Sequence, residues 1–300
     1  IRDRHVYTQH AALTSPDILR AGPSVVSTDA SGHQVARLLP YRRPTVWTER
    51  QRGVRERFER PVWDAATLVL TKSEWAAASL RDEYGIAPDR LRIVPLGPQV
   101  PLVAPTRVAH DLPTITFVGR SLARKGGLAL LDLFRARWAD RYELHLVTKD
   151  VVAPASGVVV HSDFEPGDPR LQELFGRTDV LAFPTETDTF GYAALEAMAA
   201  ALPVVARRTA ALPEIVVDGE TGLLVDEAPD DLAAAIETIL EDPARARAMG
   251  EAGRRRVLER FDARATTPAL VDVLDSAVSS VEARFEIAAD GAIVGMELWP

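Results

Sequence analysis

The chain of 300 residues predicts an α/β protein built from two doubly wound domains. Three observations carry that prediction. Short apolar runs, most of four to six residues, alternate with amphipathic helical stretches. Strands that are apolar throughout suit parallel sheets buried on both faces, and the alternation suits doubly wound units. A length of 300 residues exceeds one ordinary hydrophobic core. Finally, the string GPQVPLVAPTRVAHDLP, from Gly97 to Pro113, holds four prolines in 17 residues and no helical period, which reads as an extended connection.

The elements follow in order. Strands are expected at His5–Thr8, Ser24–Ser27, Thr67–Leu70 and Leu91–Val94, with a helix over Lys72–Tyr84. After the connection, Thr114–Val118 (TITFV) opens a new series. A helix over Leu128–Ala136 leads to strands at Tyr142–Val147 and Val158–His161. The helix Pro169–Arg177 leads to the strand Val180–Phe183 (VLAF), and the Ala-rich helix Tyr192–Ala201 leads to Val204–Ala206. The strand Leu223–Val225 and the helix Pro229–Leu240 complete the series. The tail RFEIAADGAIVGMELWP reads as a hairpin with Asp290-Gly291 as a type I′ turn, covering a sheet edge. The expected domains are residues 1–97, a linker at 98–113, residues 114–265, and a C-terminal helix and hairpin at 266–300 that pack back on the body.

Cysteine is absent, which excludes disulfides, thiolate nucleophiles and Cys-bound metals and fits a cytoplasmic protein. No apolar run approaches the roughly 20 residues of a membrane span. The net charge of −8 is uneven: 15 Lys/Arg against 11 Asp/Glu before Gly97, and 20 against 32 from Gly97 on. The first part therefore invites an anionic partner. Its most basic stretch, RRPTVWTERQRGVRERFER (Arg42–Arg60), has seven Arg and three Glu with Trp47 and Phe58 interleaved. It has two readings: a peripheral contact with an anionic membrane, or a solvated helix packed by its aromatics. No nucleic-acid partner is expected. The chain opens Ile-Arg-Asp-Arg, without an initiator Met.

The chemistry concentrates in PTETDTFGYAALEAMAAALPVV, from Pro184 to Val205. A helix that starts near Gly191 leaves about four backbone N–H groups at a positive dipole end. Preceded by a strand and a short loop, it forms an anion site at the carboxyl edge of a parallel sheet, with phosphate as the natural guest. Gly191 permits close backbone approach. Glu196, an acid inside the helix, is unsuited to phosphate but can accept two hydrogen bonds from a vicinal diol such as ribose. Asp188, on the loop, can accept hydroxyl bonds from another sugar. Either acid alone also fits a plain role, as a helix-start residue or a solvated helix position. Earlier in the same half, TITFVGRSLARKGG places Arg120 and Lys125 just after a strand, where two cations can hold a diphosphate.

These residues resemble the retaining glycosyltransferases of family 4 (group 1), which have the GT-B architecture of two Rossmann-like domains. The family's string with two acids eight positions apart reads here Pro184-Thr185-Glu186-Thr187-Asp188-Thr189-Phe190-Gly191, then Glu196-Ala197-Met198-Ala199. LPVVARRTAALPEIVVDGETGLLV and TKSEWAAASLRDEYGIAPDRLRIVPLG match flanking segments, so that the resemblance spans Val25 to Asp262. It implies sugar transfer from a nucleotide-diphospho-sugar donor, without a metal or other cofactor, with cell-envelope or exopolysaccharide assembly as the expected setting. It implies that Arg120 and Lys125 hold the diphosphate with the backbone around Phe190, Gly191 and Tyr192, that Glu196 binds the ribose, and that Asp188 contacts the sugar.

Several positions depart from the family pattern. Asp188 stands for a longer Glu, Ala201 for a Gly, and Ala210 and Ala211 for a Gly pair. Asp29 stands where many members carry a donor-contacting His, with His33 nearby as a lone loop histidine. The family's first strand and Gly-rich acceptor loop are expected before residue 1, so the N-terminal domain is incomplete and the acceptor, lipid-linked or polysaccharide, is not legible. Two other functions fit the same residues: a nucleotide-sugar-binding module without turnover, and a GT-B-type epimerase or hydrolase.

Overall fold

The computed structural model describes residues 6–8, 15–38, 48–95, 97, 104–282, 285–287 and 293–296. They fall into two compact units: one runs up to Pro95 and resumes at Thr266, and the other is built from the chain between Pro95 and Thr266.

In the first unit, β1 (Val6–Thr8), β2 (Ser24–Thr28), β3 (Leu68–Thr71) and β4 (Leu91–Ile93) lie side by side in that order, all parallel. Helices α1 (Pro16–Arg20), α2 (Gly32–Arg37), α3 (Glu49–Ala65) and α4 (Glu74–Asp82) lie between them in the chain. Val26 and Val69 from the strands meet Val62, Trp63 and Leu80 from the helices in one apolar cluster. α3 begins at a capping box, in which Thr48 accepts from the Gln51 N–H and Gln51 accepts from the Thr48 N–H. Its inner face carries a buried carboxylate, Glu59. That group accepts the Tyr84 hydroxyl at 2.7 Å and the Gly32 N–H at 3.0 Å, which offsets its loss of water. Burial, and then the Glu59 charge, push the Tyr84 phenol above its ordinary value.

The second unit holds six parallel strands: β5 (Thr114–Val118), β6 (Glu143–Val147), β7 (Val158–His161), β8 (Val180–Phe183), β9 (Val204–Arg207) and β10 (Gly222–Val225). Their order across the sheet is β7-β6-β5-β8-β9-β10. Between them run α5 (Gly127–Arg137), α6 (Pro169–Gly176), α7 (Tyr192–Ala199) and the short α8 (Leu212–Ile215), followed by α9 (Pro229–Leu240) and α10 (Pro243–Arg260). The period-2 alternation of side chains divides the core into two layers. Ile115, Phe117, Val180, Ala182 and Val205 face Leu130, Phe134 and Ile236 of α5 and α9. Leu181, Phe183, Val204 and Ala206 face Phe175, Leu195 and Met198 of α6 and α7. The expected doubly wound sheet is therefore present. Because helices cover both faces, central strands such as β8 (VLAF) are buried at every position and read as apolar runs rather than as alternation.

Strand order decides where a ligand can sit. From β5 the chain works outward to β6 and β7; from its neighbour β8 it works the other way, to β9 and β10. The loops that leave the carboxyl ends of β5 and β8 therefore lie at the topological switch point of the sheet, the edge where open parallel sheets bind their ligands.

Several boundaries differ from expectation. The helix expected to reach Ala201 stops at Ala199, where the Leu202 N–H returns to the Ala197 carbonyl and the Ala201 N–H to that of Met198. These two bonds form a Schellman cap, and Ala201 takes the left-handed conformation it requires, at φ 58°. Part of the expected connection is bound to the second unit: Arg107 donates to the Thr178 carbonyl at 2.5 Å, and the Val108 N–H to the Gly176 carbonyl at 2.9 Å. Beyond α11 (Ala263–Glu282), β11 (Phe285–Ile287) and β12 (Ile293–Met296) pair antiparallel, while the Asp290-Gly291 turn lies outside the described residues.

Candidate functional site

The loop after β5 carries Arg120 and Lys125 and is held from two sides. β6 braces it: the Lys149 N–H and Thr148 Oγ1 both donate to the Arg120 carbonyl, and the Leu122 N–H donates to Asp150 Oδ2 at 2.7 Å. The loop after β8 braces it too, because Thr187 Oγ1 donates to the Arg124 carbonyl at 2.8 Å. At the junction Gly126 sits at φ 76°, and a Cβ there would lie 2.1 Å from the Pro184 carbonyl oxygen. Only glycine allows both that backbone conformation and that approach.

The loop after β8 feeds α7 through Gly191, at φ 100°, where a Cβ would lie 2.6 Å from Leu212 Cδ2. No side chain caps the helix from the Gly191 position. Asp188 reaches both loops. Its Oδ1 accepts the Gly191 N–H at 3.2 Å, and its Oδ2 lies 2.5 Å from Lys125 Nζ. Side chains 15% and 18% exposed make this a partly desolvated pair. Phe190 is buried, with its ring edge-on to Tyr192 at 5.4 Å and to Phe261 at 6.3 Å. Its side chain belongs to the core, so only its backbone can face a ligand. Tyr192 is partly exposed at the first turn of α7. Glu196, partly exposed on the same helix, has its carboxyl pushed up to about 7 by burial alone.

Of the residues singled out in the sequence, Lys125, Asp188 and Gly191 are thus in direct contact. Arg120 is exposed at the same sheet edge, and Tyr192 and Glu196 follow on α7. Asp29 and His33 belong to the first unit. His33 is no lone solvated side chain: its Nε2 is 3.3 Å from Glu56 and its Nδ1 3.5 Å from Glu83, with the Tyr84 ring centroid 4.8 Å away. Two other departures from the family pattern coincide with unusual backbone, since Ala201 and Ala210 have φ of 58° and 47° where a glycine would be unstrained. Sequence reasoning missed the braces Asp150 and Thr187, and the Arg207–Glu186 pair at 2.8 Å. Asp150 was within reach, because Thr148-Lys149-Asp150 directly follows a strand that ends at the same edge.

The arrangement can bind an anion and a diol together. A flexible ammonium, an exposed guanidinium and a helix start supply charge and donors for phosphate oxygens, and a carboxyl further along the helix can take paired hydroxyls. Among the described residues, no group of three His, Cys, Asp or Glu is placed to hold a metal ion, and no helix is long and apolar enough to cross a membrane.

A model of the family described as glycosyl transferases group 1 matches residues 103–256, which include both loops. An MMP alpha-(1->4)-mannosyltransferase from Mycolicibacterium hassiacum is 32% identical over 227 residues, covering 72% of this chain and 55% of the relative. A GDP-mannose-dependent alpha-(1-6)-phosphatidylinositol monomannoside mannosyltransferase from Mycolicibacterium smegmatis is 30% identical over 295 residues, covering 88% and 73%. The chain thus spans little more than half the length of the first relative and about three quarters of the second. Sucrose-phosphate synthase from Thermosynechococcus elongatus superposes with a TM-score of 0.77 at 23% identity, covering 92% of this chain and 74% of that one. Anabaena HepE, solved in complex with UDP, gives 0.68 at 16% identity, covering 91% and 78%. Likeness at these identities speaks for the fold, and it agrees with the expected α/β fold of GT-B type. By the span of the family match and the relatives it shares, the chain belongs to the group 1 glycosyltransferases.

Proposed function

We propose that the chain carries the donor site of a retaining glycosyltransferase, which moves a sugar from a nucleotide-diphospho-sugar to an acceptor hydroxyl. The observation that supports this most is the convergence of Lys125, Gly191 and the start of α7 at the carboxyl ends of β5 and β8, with Arg120 beside them and Glu196 further along the helix. In this reading the diphosphate lies against Arg120, Lys125 and the first turn of α7, and Glu196 takes the ribose hydroxyls. When the bond between the anomeric carbon and the diphosphate oxygen breaks, negative charge gathers on the leaving diphosphate. The acceptor oxygen bonds to the carbon and gives up its proton to the departing diphosphate oxygen. Donors fixed beforehand around the diphosphate stabilise that charge, an effect typically of ~3–4 kcal/mol per donor. Retention at the anomeric carbon rests on the family resemblance.

Relatives named as mannosyltransferases, one of them GDP-mannose-dependent, make GDP-mannose the first donor to try. A lipid-linked acceptor is favoured by α3, where Val54 and Phe58, 48% and 69% exposed, lie one turn apart with the exposed Arg50 and Arg57 near the same face. Such a face suits an anionic bilayer. The Arg42–Trp47 part of the basic stretch lies outside the described residues. The test incubates the chain with GDP-, UDP- and ADP-sugars and follows nucleotide release with and without anionic vesicles that carry lipid extract as acceptor. Release from one donor, stimulated by the acceptor, supports transfer. Binding with no release supports the module without turnover, and release independent of acceptor supports a hydrolase.

A further inference from the structure

The Asp188 carboxylate has both its oxygens on donors that a phosphate at this edge would use. Oδ2 holds Lys125 Nζ at 2.5 Å and Oδ1 holds the Gly191 N–H at 3.2 Å. The contact is not the chance meeting of two loose loops. Thr187, the residue before Asp188, is tied to the Arg124 carbonyl, the residue before Lys125, at 2.8 Å. One residue further on, the close approach of Gly126 to the Pro184 carbonyl fixes the backbones against each other. The two charged side chains are 15% and 18% exposed, so bulk salt screens their attraction little. A carboxylate and a diphosphate cannot share one ammonium and one N–H without like charges meeting.

We propose that Asp188 is an internal anion, holding the phosphate donors until a diphosphate displaces it, and that once displaced it turns to the hydroxyls of the donor sugar. The proposal rests on the nucleotide-sugar reading above. It has a consequence for selectivity. A free nucleoside diphosphate must break the Lys125–Asp188 pair and offers the displaced carboxylate nothing. A nucleotide-sugar breaks the same pair but supplies hydroxyls that the carboxylate can accept. The site then discriminates against its own product. After transfer the hydroxyls leave with the sugar, Asp188 returns to Lys125, and the nucleoside diphosphate is expelled. The same residue lowers affinity for bare phosphates and raises turnover.

The test measures inorganic pyrophosphate and nucleoside diphosphate binding by calorimetry on the wild type, Asp188→Asn, Asp188→Ser and Asp188→Glu. Asn and Ser keep an oxygen for the Gly191 N–H but carry no charge. Both should bind pyrophosphate and nucleoside diphosphate roughly tenfold more tightly than the wild type. Asp188→Glu, which restores the charge, should stay near the wild type. The gain should vanish when Lys125→Ala is added to Asp188→Asn. Binding in the neutral variants that equals or falls below that of the wild type would overturn the proposal and leave the nucleotide-sugar reading standing. Failure of both neutral variants to fold would also overturn it, since the carboxylate would then be a structural brace. Tighter pyrophosphate binding without binding of any nucleoside diphosphate would support the internal anion and overturn the nucleotide-sugar reading.

Discussion

Replacing Glu196 by Gln tests the oddest electrostatic feature of the site. In the folded protein burial lifts its carboxyl from 4.5 to about 7, and no cation opposes the shift. The unfolded chain ionises this group near 4.5, whereas the folded chain resists until about 7. Between those values the unfolded state binds fewer protons than the folded one, so stability falls as pH rises. The contribution is fully present below 4.5 and lost once pH has passed about 7. A rise of this size corresponds to roughly 3 kcal/mol, and the partly exposed position of the side chain reduces that to roughly 1–3 kcal/mol. Glu196→Gln removes the ionisation, so the variant should equal the wild type near pH 4.5 and exceed it by that amount at pH 8. Urea unfolding of both proteins at pH 4.5, 6, 7 and 8 gives the difference curve directly, and contributions common to both proteins cancel. The proposed diol contact has its own signature: nucleoside diphosphate binding near pH 7 should release up to about half a proton more in the wild type than in the variant, seen as buffer-dependent heat. A variant-minus-wild-type stability difference that is flat across this range would refute the burial argument.

Further outcomes follow from the backbone and from the histidines. Ala201→Gly and Ala210→Gly relieve left-handed alanines, and each should stabilise by about 1 kcal/mol, or roughly 2–4 °C in a thermal melt. Gly126→Ala drives a Cβ into the Pro184 carbonyl oxygen at 2.1 Å and should cost roughly 3 kcal/mol or more, together with nucleotide affinity, as read by denaturant unfolding and calorimetry. His145 and His161 stack at 5.2 Å with a ring-nitrogen contact of 2.9 Å, and burial holds both below the ordinary 6.5. The unfolded chain takes up these protons first as pH falls below 6.5, so stability should drop toward pH 5, and less steeply in His145→Gln.

The sequence disclosed the sheets because strands such as VLAF at Val180–Phe183 are buried on both faces and so apolar at every position, and most of the others are largely apolar. It disclosed the two site loops because Gly126 and Gly191 sit where the backbone goes left-handed, and because Arg120 and Lys125 follow a strand directly. Strand order was not legible, since nothing local to β5 or β8 says that they are neighbours. For the same reason the Lys125–Asp188 contact, between residues 63 positions apart, was out of reach: each residue read separately as a ligand for substrate. Phe190 was read for its backbone, and its buried side chain is compatible with that reading. His33 looked solvated because Glu56, on α3, and Glu83, just past the end of α4, are both distant from it in the sequence.

The central claim is that a nucleotide-sugar binds across the loops that leave β5 and β8. Hydrogen–deuterium exchange on the whole chain, with and without a saturating nucleoside diphosphate, tests it most directly. Protection should appear in two separated segments, residues 119–127 and 188–196, because a diphosphate on Lys125 and the start of α7 with ribose on Glu196 would close both from solvent. Protection confined to other segments, or no change with GDP, UDP and ADP alike, would contradict it.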